Sequence, residues 1–247
     1  MNIIIMLAGM VLYLVLFLFF RTNFKSQTKK VGKEKLTVRM VVNRMTKIAI
    51  FAALSYILYF IKFPLPFFPS FLEINFSMLP IILAGFAFGP SVGVLVVLIR
   101  FILKLPFTST AYVGEMADLL IGISVVLPSS LVYSINKTKK GGVIALIVAV
   151  IMWVLSGVYT NYFVNIPFYV EFYFHGDMAP LVGMVKGLYS NVTVDNFMSY
   201  YIWLAVIPFN LLLGLVCSTL TYFIYKRISI IFKKDFFNGK KKGVNSK

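Results

Sequence analysis

The sequence predicts an all-α integral membrane protein, with one N-terminal transmembrane helix joined by a basic linker to a six-helix transmembrane bundle. Three observations carry that expectation. Of the 247 residues, 60% are hydrophobic and only 13% are charged, whereas a soluble domain is about half apolar and about a quarter charged. The apolar residues gather in blocks near the bilayer-spanning length of about 20 residues. The 24 Lys and Arg, set against 8 Asp and Glu, fall almost entirely between those blocks.

The first block, Ile3 to Phe20, is uncharged and is followed by Arg21, Lys25, Lys29 and Lys30. A cleaved signal peptide carries its positive charges ahead of the apolar stretch and a small-residue cleavage site behind it. Neither feature is present, so 1–20 reads as an uncleaved extra helix with its N-terminus outside. Residues 21–45 form a basic cytoplasmic linker, suited to resting on anionic headgroups of the lipid bilayer.

The bundle occupies 46–232, its apolar blocks running 46–63, 77–89, 91–105, 115–135, 143–167 and 200–225, and 233–247 is a basic cytoplasmic tail. Block 77–89 is short for a full crossing. It is divided from its successor by Gly89-Pro90, a helix-stopping pair, so the two read as a tight helical hairpin.

Orientation follows from the charges. With 21–47, 136–142 and the segment after Tyr225 inside, twenty of the 24 basic residues are cytoplasmic, accompanied only by Glu34 and Asp235. Lys62, Arg100, Lys104 and Lys186 remain with six acids. That asymmetry fits a multi-pass cell-membrane protein with its N-terminus outside and C-terminus cytoplasmic. The net charge of +16 is therefore a topology signal, and no nucleic-acid partner is expected.

The outer segments are then Pro64 to Phe76, Pro106 to Gly114 and Phe168 to Ser199. In the first, apolar side chains alternate with Glu73, Asn75 and Ser77 across 71–77, the period-2 signature of an extended segment. Such a segment offers backbone N–H and C=O groups to the edge of a planar ligand, or serves as a rigid Pro-rich connector. In the second, Glu115 and Asp118 share one face of the following helix at i and i+3, near Thr110. They either cap the helix or pair with Arg100 or Lys104 beside a site.

Asn161 and Asn210 interrupt apolar helices, and an unpaired amide in hydrocarbon costs several kcal/mol. Each must meet either a neighbouring helix or a ligand. Trp203, Tyr159, Tyr162, Phe163, Phe168, Tyr169, Phe172 and Tyr173 surround them, as an interfacial belt or as stacking groups for a flat ligand. Ala49 and Ala53, and the series Gly85, Gly89 and Gly93, place small residues at the spacing that lets helices approach closely.

Several absences narrow the function. One Cys and one His leave no zinc-type cluster and no Ser/His/Asp arrangement, and no phosphate-binding Gly-rich loop is present. The two halves show no duplication of the kind many secondary transporters have. A membrane enzyme using Glu115 and Asp118 as acid and base lacks any accompanying nucleophile or metal ligand. A scaffold with no small ligand is the third reading.

Several stretches taken in order resemble a known family. They are Phe-Pro-Leu-Pro from Phe63, Phe-Leu-Glu-Ile-Asn-Phe-Ser-Met-Leu-Pro up to Pro80, Gly-Phe-Ala-Phe-Gly-Pro up to Pro90, Thr-Ser-Thr-Ala-Tyr-Val-Gly-Glu-Met-Ala-Asp-Leu-Leu-Ile-Gly up to Gly122, Asn-Tyr-Phe from Asn161, and Pro-Phe-Asn-Leu-Leu from Pro208. Over about residues 45–232 the chain resembles the riboflavin-specific substrate-binding subunits (S components) of energy-coupling-factor vitamin transporters. The resemblance implies a six-helix bundle of the S-component type that binds riboflavin from outside with high affinity. It also implies a transmembrane coupling protein and two cytoplasmic ATPases as partners, with no cofactor beyond riboflavin as the transported ligand. S components for other vitamins or flavins (FMN, thiamin, biotin, pantothenate) are the nearest alternative.

By position, the resemblance implies that Leu72, Glu73, Ile74 and Asn75 are loop residues facing the ligand. It further implies that Asn161 and Asn210 meet the polar atoms of the isoalloxazine and ribityl groups, and that Ala49 and Ala53 contact the coupling protein. Thr110, Glu115, Tyr162 and Trp203 complete the expected substrate-binding set with Leu213. Family members usually carry Lys at the position of Leu213, three residues after the Asn of the last helix. The helix at 3–20 is a second departure, since it lies outside the six-helix core.

Overall fold

The structure, a computed structural model, describes residues 38–244, with side chains between Val38 and Tyr225. The helix expected at 3–20 lies outside the described residues, as does most of the basic linker. The chain divides after Lys47, and the bundle with its site belongs to the unit that begins at Ile48.

The described residues are mostly helical. Helix α1 is Val38–Phe60, α2 Met78–Phe88, α3 Pro90–Lys104, α4 Val113–Ile135, α5 Lys139–Thr160, α6 Ala179–Lys186 and α7 Ile207–Val244. Among the described residues, five spans are long and apolar enough to cross a membrane: Val41–Phe60, Pro90–Phe107, Val113–Ile135, Lys139–Tyr173 and Phe197–Tyr225. The sixth expected segment, α2, has only 11 residues.

Burial explains how so short a helix is accommodated. Met78 to Phe86 are all buried, and α2 packs against α3, α4 and α7. A helix apolar on every side belongs inside a bundle, where it need not match the bilayer thickness. Gly89 at φ 101° makes the reversal between α2 and α3, and Pro90 opens the new helix. Gly85 and Gly93 serve the bundle itself: a Cβ on either would come within 3.0 Å of the Val126 side chain on α4.

Boundaries differ from the sequence expectation in three places. Helix α1 begins at Val38, so the last part of the expected linker is helical, and α7 runs through Val244 into the segment expected as a tail. The span of α5 continues to Tyr173 through π-helical turns at Asn161–Asn165 and Tyr169–Tyr173, absorbing residues expected in an outer loop. Apolar blocks mark where a chain enters hydrocarbon, but backbone hydrogen bonding carries a helix beyond that boundary.

Candidate functional site

The first outer segment is a small hairpin. Strand β1 (Lys62–Pro64) pairs antiparallel with β2 (Glu73–Asn75), with Phe63 opposite Ile74. Alternation in β2 turns Ile74 inward with its neighbour Leu72, both buried, while Glu73 stays half-exposed and pairs with Lys62 at 2.5 Å. One of the two readings of the extended segment gives it backbone groups free to meet a ligand. One edge is instead occupied by β1, because an isolated strand in this setting leaves its polar groups unpaired.

Beyond β2 the chain is tied to the bundle by polar side chains. Asn75 Oδ1 accepts from the Ser77 backbone N–H at 3.2 Å and from Ser77 Oγ at 2.6 Å. The Arg100 guanidinium donates to Ser77 Oγ, and Ser55 Oγ donates to the Ser77 carbonyl at 2.7 Å. Arg100 is 1% exposed and Lys104 3%, and both bind Asp118 Oδ2, at 2.9 and 2.6 Å. Lys104 Nζ also lies 3.7 Å from the centre of the Tyr59 ring, a cation–π contact.

Glu115 and Asp118 thus part company. Asp118 neutralises two buried cations, whereas Glu115, also buried, accepts hydroxyl hydrogen bonds from Thr108 and Thr110, both 2.9 Å to Oε2. Neither carboxylate caps α4, whose first-turn Gly114 N–H is met by Thr110 Oγ1 at 3.1 Å. The loop that aims the threonines passes through Ala111 and Tyr112 at positive φ (46° and 70°), a costly conformation for residues with a Cβ.

The two interior amides both meet Gly157 of α5. Asn161 Nδ2 donates to the Gly157 carbonyl at 2.8 Å, and its Oδ1 accepts from Tyr201 OH at 2.8 Å and from Asn165 Nδ2 at 3.4 Å. Asn210 Nδ2 donates to the Val206 carbonyl at 2.8 Å. Contact between them runs through Gly157, whose absent Cβ would fall 2.5 Å from Asn210 Cγ. Both amides adjoin π-helical turns, Asn161–Asn165 and Tyr201–Val206, and such insertions frequently mark functional sites.

Aromatic contacts bring the hairpin loop to this place. Phe68 packs edge-on against Phe209 at 5.4 Å, and Phe71 meets Tyr201 at 5.9 Å, with Tyr201 stacked on Phe197. These contacts set the loop between β1 and β2 against the last span; Leu72 and Ile74 are buried in the common apolar core, and Asn75 is bonded to Ser77. Tyr162 is half-buried beside Phe163, and Leu213 is buried in the apolar core. Trp203 does not join them: it is 69% exposed, on the outward side of the last span, as an aromatic in contact with lipid would be. Ala49 and Ala53 are exposed together on one side of α1, with Ala52 buried between them.

Sequence reasoning missed Tyr201, Asn165 and Gly157. Tyr201 lies forty residues from Asn161, so nothing in the local pattern announces their bond, but Asn165 stands one turn after Asn161 and was legible as its neighbour. No group of metal-ligating side chains occurs among the described residues.

Buried amides beside aromatic rings, roofed by a braced loop at one end of a membrane bundle, are the equipment of a membrane receptor for a polar solute. The chain belongs to the substrate-specific components of ECF transporters, whose family description matches residues 43–225. Among curated relatives, "Riboflavin transporter RibU" of Staphylococcus aureus (strain TCH60) is 32% identical over 203 residues, covering 82% of this chain and 98% of that protein. "Riboflavin transporter RibU" of Streptococcus thermophilus is 30% identical, covering 77% and 85%. "Riboflavin transporter FmnP" of Bacillus subtilis (strain 168) is 22% identical, covering 76% and 93%. A solved structure described as the S component of a bacterial ECF transporter superposes with a TM-score of 0.57 at 31% identity, covering 77% of this chain and 98% of that one.

Proposed function

We propose that this chain is the riboflavin-binding membrane subunit of an ATP-driven transporter, capturing the vitamin outside the cell and releasing it for uptake. The observation that carries the reading is that Asn161 and Asn210 are both buried and both meet Gly157, next to the rings Tyr201 and Phe209 that contact the loop between β1 and β2. Riboflavin has a flat ring system for aromatic contacts, a pyrimidine-like edge for amides and no charge that calls for a basic pocket. The relatives named as riboflavin transporters support the same assignment.

In this reading Leu72, Ile74, Asn75, Asn161, Tyr162 and Asn210 face the ligand, and Glu73 fixes the hairpin through Lys62. Thr110 and Glu115 shape the second loop. Leu213 supplies an apolar wall where the resemblance leads one to expect a lysine, so the ligand is held here without that charge. The exposed Ala49 and Ala53 form the contact with a transmembrane coupling protein, which in turn engages two ATPases. The N-terminus is outside and the C-terminus cytoplasmic.

Titration of the purified protein with riboflavin, read by quenching of flavin fluorescence, tests the proposal. Saturable quenching at one riboflavin per chain, with no competition from thiamin, biotin or pantothenate, is the expected result. Binding of one of those vitamins in place of riboflavin overturns it.

A further inference from the structure

One buried polar atom near the paired amides has no partner among the described residues: Asn165 Oδ1. Nearly all buried polar side-chain atoms in folded proteins are hydrogen-bonded, so an orphan beside a binding site requires a cause.

The hydrogen-bond pattern fixes which atom this is. The Gly157 carbonyl is only an acceptor, so Asn161 must turn Nδ2 toward it and Oδ1 the other way. Asn161 Oδ1 then faces both Tyr201 OH and Asn165, and Asn165 must present Nδ2 to it. The acceptor of Asn161 is filled by these two donors, and the acceptor of Asn165 is left open.

We infer that Asn165 is a ligand-recognition residue whose Oδ1 accepts a hydrogen bond from an N–H or O–H of the bound solute. Tyr201 and Asn161 act as positioning residues that hold its amide in the required sense. The inference rests on the riboflavin assignment, and it shifts the donor-reading role from Asn161, where the family resemblance puts the polar contact, to the residue one turn later. Riboflavin offers two classes of donor, the ring imide N–H and the hydroxyls of its ribityl chain.

The test compares the wild-type chain with Asn165→Leu, close in shape but without polar atoms, and Asn165→Ala as a smaller second variant. Each is titrated with riboflavin, with lumiflavin, which lacks the polyol, and with N3-methylriboflavin, which lacks the imide proton. Melting of the ligand-free proteins is followed in parallel. The expected result is a loss of riboflavin affinity of about tenfold or more in both variants, with melting unchanged. The loss should vanish for whichever analogue lacks the donor that Asn165 reads: lumiflavin if it is a hydroxyl, N3-methylriboflavin if it is the imide. Unaltered riboflavin affinity in both variants overturns the inference, as does an equal loss for all three flavins. Absence of riboflavin binding by the wild-type chain refutes the functional assignment instead, and it is seen before any variant is compared.

Discussion

Replacing Gly157 by Ala is the sharpest probe of the paired-amide geometry. An added Cβ would lie 2.5 Å from Asn210 Cγ and 2.6 Å from both Asn210 Nδ2 and Oδ1. These separations are well inside van der Waals contact, which begins near 3.5 Å. Asn210 is buried, its amide is bound to Val206, and it cannot swing clear without giving up that bond. Alanine by itself favours a helix over glycine by about 1 kcal/mol. Overpacking costs about 1–3 kcal/mol, and a displaced amide adds about 1 kcal/mol for the lost hydrogen bond. The net effect is about 1–3 kcal/mol, and it falls on a side chain that the functional reading requires to be in place. Riboflavin affinity should therefore drop by about tenfold or more, while thermal stability falls only modestly. The assay is fluorescence-quenching titration beside thermal melting. Wild-type affinity in Gly157→Ala would refute the placement of Asn210 in the site.

Other predictions bear on separate parts of the chain. Asn161→Ala or Asn210→Ala should weaken riboflavin binding by about 1–3 kcal/mol, measured by the same titration, since each leaves a buried partner unsatisfied. Asp118→Asn removes the shared counter-charge of Arg100 and Lys104; with Asp118 itself 27% exposed, destabilisation of about 3 kcal/mol is expected, seen as a melting temperature lower by roughly 6–12 °C. Ala53→Leu should leave binding by the isolated chain intact and impair uptake in cells, so normal uptake would remove α1 from the coupling contact. For orientation, Lys62→Cys should react with a membrane-impermeant thiol reagent in intact cells and Lys139→Cys only after permeabilisation. The native Cys217 is buried and stays silent in that experiment.

Much of the fold could be read from the residues in order. Runs of apolar residues announced the spans, since hydrocarbon admits little else, and Gly89-Pro90 announced the reversal after α2. Alternation at 71–77 correctly pointed to an extended segment, because side-chain period and strand geometry are one and the same. The limits of α1, α5 and α7 were less legible, as helical hydrogen bonding continues past the last apolar residue. Within the site, Asn161 and Asn210 stood out because an amide is costly in an apolar helix and must have a partner. Trp203 reads from the sequence as either an interfacial aromatic or a stacking group, and it faces outward: only the helix rotation tells which side it takes.

The sequence by itself determined that this chain is a membrane bundle, that its basic residues fall mostly between the apolar blocks, and that two amides lie where only hydrogen bonding can hold them. Tertiary structure alone decided the partners. It joined Asp118 to Arg100 and Lys104, and Glu115 to two threonines, although the two acids sit three residues apart on one helix. It set Tyr201 against Asn161 across forty residues, and it fitted Asn210 into the space left by Gly157. Burial propensity and periodicity are properties of a residue and its near neighbours along the chain. Which donor meets which acceptor depends on how the spans rotate and how closely they approach, and that is fixed only when the whole bundle packs.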